Sequence, residues 1–128
     1  MKKLHLAVGI ALLLVFVSTG AFMKWEQLHT DGLDPLYRMM HRSRHIYILF
    51  AGLIHLMAYR AYDDGSSGSR SILLRISSGF LFASAVLFPI AFLVEPQLHR
   101  VAAPVTFFGV LLTLIGVLLP VVSGFMRK

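Results

Sequence analysis

Between Leu4 and Met23 the chain reads LHLAVGIALLLVFVSTGAFM, twenty residues with one titratable side chain, His5. A run of about 20 apolar residues crosses ~30 Å of hydrocarbon as an α-helix, because each residue rises ~1.5 Å. Three further apolar blocks follow, at about 44–62, 71–94 and 104–126. They account for a composition that is 57% hydrophobic and 14% charged, where a soluble domain carries roughly 25% charged residues. No block alternates with the period of two that a membrane β-barrel needs, which leaves helices as the spanning structure. The expectation is an all-α integral membrane protein with one domain over residues 1–128. It is a four transmembrane helix bundle with spans at about 4–23, 44–62, 71–94 and 104–126, and an outer loop at 24–43.

Charge sets the expected orientation. With the N-terminus inside, Lys2, Lys3, Arg60, Arg70, Arg75, Arg127 and Lys128 lie on the inner side, and Lys24, Arg38, Arg42, Arg44 and Arg100 on the outer. Seven against five favours N-in/C-in, in a bacterial inner (plasma) membrane. The opening MKK, the apolar core and the small residues STGA have the form of a signal peptide cut near Ala21. The apolar stretch is longer than a signal core, so the first helix is read as retained. The net charge of +6 belongs to the ends of apolar blocks, where it meets lipid headgroups. No basic run carries the interleaved aromatics of a nucleic-acid site. The absence of cysteine removes disulfides, zinc–thiolate sites, iron–sulfur clusters and thiol nucleophiles. YDDGSSGSRS at 62–71 reads as a flexible tether.

The second block is different in kind. Asp34-Pro35 is a helix start, with an acceptor side chain before a proline at the first helical position. On a helix beginning there, Arg38, His41, His45, Gly52, His55 and Tyr59 share an arc of roughly 100°. Polar groups within a membrane avoid lipid, so this arc is expected to face the interior of the bundle. His41 and His45, one turn apart, are expected to point at one site, which His99 and Glu95 close from the third connection. Imidazoles so placed suit a transition metal, or a haem b held between helices, with Arg38, Arg42, Arg44 and Arg100 on its propionates. The same arginines bind a carboxylate or phosphate without a metal. The tentative ligand set is therefore His41, His45, His55 and His99, and the tentative anion set Arg38, Arg42, Arg44 and Arg100. His45 is expected to matter more than His29, which falls in the irregular part of the outer loop.

Small residues mark expected packing seams: Gly52 on the second helix, Gly79 and Ala83 on the third, Gly109, Thr113 and Gly116 on the fourth. Small multidrug transporters resemble this chain in layout, but they couple through a carboxylate in the first span. Here Glu26, Asp31, Asp34, Asp63, Asp64 and Glu95 all fall in loops or at helix ends. There is no phosphate loop, nucleophile elbow or paired-carboxylate cleft. The chain reads as a non-catalytic subunit or binding protein with an outer His/Arg site for an anionic or metal-containing ligand. The alternatives are a haem-binding electron-transfer component and a small dimeric transporter. The expected partners are the lipid bilayer and other membrane subunits or further copies of the chain.

Overall fold

Thr30 and Asp34-Pro35 bracket the first turn of the chain. The computed structural model describes residues 1–30, 32, 34–61, 69–98 and 103–125. Helix α1 runs from Lys2 to His29, α2 from Pro35 to Ala61, α3 from Ser69 to Val94 and α4 from Pro104 to Phe125, with a 3-10 turn at Pro96–Leu98. Among the described residues there is no strand. The amide of Thr30 still bonds the carbonyl of Glu26 at 3.0 Å, and Gly32 then takes a positive φ of 76°, a conformation glycine adopts without a steric cost. The chain re-enters a helix at Pro35, where the Leu36 amide donates to Asp34 Oδ1 at 3.1 Å. The outer loop expected at 24–43 is thus mostly helix, because nothing between Lys24 and His29 breaks one. At ~1.5 Å per residue, α1 is longer than the hydrocarbon is thick.

Among the described residues three helical segments, Lys2–His29, Ile72–Leu98 and Pro104–Val122, are long and apolar enough to cross a membrane. They expose what a soluble protein buries, including Leu14, Val17, Phe107 and Leu118. Helix α2 falls outside this set because its polar residues lower its hydropathy; of these it buries His41, Arg44 and His55 and leaves Arg38, Arg42 and Arg60 exposed.

The helices follow one another in space: α1 packs along α2, α2 along α3 and α3 along α4, with only light contact between α1 and α3. This is a folded row, more open than the expected bundle, and it puts α2 between two neighbours. Leu12, Ile48, Ala51, Ala85, Phe88 and Phe92 form its main core, and Ala58, Leu74 and Leu81 a second. Close approach is set by glycine at two crossings. A Cβ on Gly52 would lie 3.3 Å from Leu12 Cβ, and one on Gly109 would lie 2.8 Å from Phe88 Cε1. A Cβ on Gly116 would stand 2.9 Å from Leu81 Cδ2. Pro120, four residues on, has no N–H to give the Gly116 carbonyl, and Ser77 Oγ donates to it instead at 2.6 Å. Thr113 returns its hydroxyl to the Gly109 carbonyl at 2.8 Å. Gly79 and Ala83 are exposed, and nothing lies within 4 Å of a Cβ on Gly79. Contrary to expectation, that pair takes no part in packing among the described residues; α3 buries Ser77, Ser78, Leu81 and Ser84 on another face.

Candidate functional site

The polar arc of α2 does not converge on one site. The buried residues of α2 are Met40, His41, Arg44, Ile48, Ala51, Gly52, His55 and Ala58. They form an arc about 120° wide, turned from the expected one so that Arg38 and His45 fall at its edge. The reason is tertiary: α2 is covered on two sides, by α1 and α3, rather than on one.

Arg44 is spent inside the protein. Its Nε donates to Glu95 Oε2 at 3.0 Å, and its guanidinium also reaches Ser43 Oγ at 3.0 Å. Glu95 is fully buried. Its other oxygen accepts the Thr106 amide at 2.9 Å, and the Thr106 hydroxyl donates to Glu95 Oε2. Ala103 precedes α4 and offers no capping side chain, so the Glu95 carboxylate, one residue beyond α3, caps α4 from a distance. A negative charge there is also favoured by the helix dipole. Neither Arg44 nor Glu95 is left for an outside ligand, which corrects the roles expected of both.

His55 is likewise committed. Its Nε2 lies 3.2 Å from the Leu81 carbonyl, its Nδ1 lies 3.0 Å from His5 Nδ1, and His5 Nε2 lies 2.9 Å from Ser78 Oγ. Valence orders the protons. A carbonyl only accepts, so His55 Nε2 carries the hydrogen and neutral His55 accepts at Nδ1. His5 Nδ1–H must then donate to it, leaving His5 Nε2 to accept from the Ser78 hydroxyl. Two neutral imidazoles thereby bind α1, α2 and α3 together, both fully buried and with Phe82 stacked 4.6 Å from His5. Sequence reasoning missed His5. The available signal was the antiparallel register: as Gly9 meets Gly52, His5 four residues before falls opposite His55 three residues after.

His45 points at α1, with Nδ1 2.8 Å from Thr19 Oγ1 and its ring stacked 4.0 Å from Phe16. Gly20 makes room for it, since a Cβ there would lie 3.2 Å from His45 Cε1. His29 ends α1 and bonds the Trp25 carbonyl at 2.8 Å. His99 and Arg100 lie outside the described residues.

That leaves His41, Arg38 and Arg42, and these do come together. A cavity of about 180 Å³ opens between the end of α1 and the start of α2, lined by Lys24, Glu26, Gln27, Arg38, His41 and Arg42. His41 is 5% exposed, held among Tyr37 at 4.5 Å, Phe92 at 4.7 Å and Phe22 at 6.1 Å. Neither ring nitrogen has a hydrogen-bond partner among the described residues. Burial lowers its pKa; the Glu26 charge pulls the other way and Arg44 adds to the lowering. Tyr37 donates its hydroxyl to Glu26 Oε1 at 2.9 Å, and its pKa is raised by burial and by that carboxylate. Lys24, Arg38 and Arg42 have no ion-pair partner among the described residues, where the one salt bridge is Arg44–Glu95. The α1 half of the site, Lys24, Glu26 and Gln27, was hidden in the sequence by the loop expected there.

The described residues of this cavity do not fit a haem. Pockets that enclose a drug-sized ligand run from roughly 300 Å³ upward, above this cavity's volume, and His45 and His55 face elsewhere. Among the described residues no three His, Asp or Glu side chains gather as metal ligands. What the fold and site define is an all-helical protein with membrane-length helices and a small cationic cavity at one end of α1 and α2. Comparison with protein-family models, curated proteins and solved structures finds no match.

Proposed function

We propose that this is a small integral-membrane binding protein, or the binding subunit of a larger membrane assembly, which holds an anionic group in the cavity between α1 and α2. One observation carries the reading: three cations without an ion-pair partner among the described residues line a cavity together with a buried imidazole, and neither nitrogen of that ring has a partner among those residues. A buried polar atom without a partner costs ~1–3 kcal/mol, and a ligand that bonds it recovers that cost. Charge-assisted bonds from Arg and Lys supply the attraction.

In this reading α2 crosses the membrane with the other three helices. Its neighbours α1 and α3 are both of spanning length, and with the segment after α3 they supply the partners of its buried Arg44 and His55. The balance of Lys and Arg puts both termini inside and the cavity on the outer face of a bacterial inner membrane.

Thermal unfolding of the detergent-purified protein tests the anion site. At fixed ionic strength, phosphate, sulfate or a small carboxylate should raise the midpoint relative to chloride. The Arg38→Gln/Arg42→Gln variant should lose that response. An identical response in wild type and variant, or none in either, would rule the site out.

A further inference from the structure

The cavity lining asks for more than an anion, and the ligand class it selects rests on the anion-site reading. Lys24, Arg38 and Arg42 call for negative charge, but two other lining groups call for hydrogen-bond donors. Glu26 spends Oε1 on Tyr37 and has a second oxygen that only accepts. Neutral His41 offers one N–H and one acceptor nitrogen, both without a partner among the described residues. A bare carboxylate or sulfate satisfies the cations and leaves these acceptors idle. The complementary ligand is negative at one end and carries donors at the other. Three cations against one carboxylate favour a net anion, so the donors are hydroxyls rather than an ammonium. Phosphate suits a lysine and two arginines, one turn apart on α2.

Depth supplies the source. The cavity begins at the end of the apolar stretch Leu4–Met23, about one hydrocarbon thickness from its start. Trp25, largely exposed, and Tyr37 flank it, as aromatic side chains do at headgroup level. We infer that the site binds a phosphodiester bearing a hydroxylated substituent, a phosphoglycerol group, presented as the headgroup of a membrane lipid.

The test uses the full chain in neutral detergent, with lipid bound at equilibrium read by native mass spectrometry. Three probes share their acyl chains: phosphatidylglycerol, phosphatidylmethanol (the same phosphodiester without hydroxyls) and phosphatidylcholine. The soluble deacylated counterpart, glycerophosphoglycerol, is the fourth. Phosphatidylglycerol should bind tightest, phosphatidylmethanol less, and phosphatidylcholine weakest. Arg38→Gln/Arg42→Gln should weaken both anionic lipids roughly ten- to hundredfold. His41→Phe, which keeps an aromatic ring between Tyr37 and Phe92, should erase the advantage of phosphatidylglycerol over phosphatidylmethanol while preserving their shared preference over phosphatidylcholine. Equal binding of the two anionic lipids by wild type overturns the hydroxyl inference and leaves the anion site standing. Equal binding of all three lipids, with no stabilisation by soluble anions, overturns both. If glycerophosphoglycerol binds as tightly as the lipid, the chemistry holds and the lipid source is overturned.

Discussion

For single residues, burial and valence decide what each histidine of α2 does. His41 is nine-tenths buried and its pKa is lowered, so the unfolded chain takes up a proton at this position more readily than the folded one. Its stability contribution is therefore present above the ordinary value of about 6.5 and is lost as pH falls below it. The unfolding midpoint should drop between pH 7 and pH 5, and His41→Phe should make that drop shallower; equal slopes would count against a neutral buried His41. The His5–His55 bond makes a different prediction. Replacing either ring alone by Phe strands its partner's nitrogen, at a cost of ~1–3 kcal/mol. The double replacement should cost less than the two singles combined, as a thermal-unfolding double-mutant cycle reads directly.

Between elements, two devices join the helices. Glu95 ties the end of α3 to Arg44 of α2 and to the start of α4. Removing one partner of a buried pair costs about 3–5 kcal/mol, whereas replacing both by apolar residues is often neutral. Glu95→Ala and Arg44→Ala should each be severely destabilising, and Glu95→Met/Arg44→Met markedly less so, by thermal unfolding in detergent. Glycine spacing is the second device. Gly109→Ala drives a Cβ into Phe88 and should cost about 1–3 kcal/mol through overpacking, whereas Gly79→Ala meets nothing and should be close to neutral.

Across the molecule, the row of helices places the cationic cavity and the His5–His55 bond at opposite ends of the α1–α2 hairpin. The absence of cysteine makes the proposed topology directly measurable. A cysteine in place of His29 should react with a membrane-impermeant maleimide in intact cells, and one in place of Ser66 should react only after lysis. The opposite pattern would reverse the orientation and move the cavity to the inner face.

That the chain is helical, with runs long and apolar enough to cross a membrane, was already legible in its residues, because about twenty apolar positions leave the backbone no other way to satisfy its hydrogen bonds in lipid. The local chemistry of Asp34-Pro35 likewise located the start of α2, and the density of Arg and His singled α2 out as the polar helix. Which polar residue does what was settled only by the packed fold. Arg44 and His55 looked equivalent to Arg38 and His41 along one helix, but partners 51 and 50 residues away in the chain, Glu95 and His5, claimed the first pair and left the second facing a cavity. Such partners depend on helix register and on which faces are covered, and both come from packing between helices rather than from any pattern along one segment.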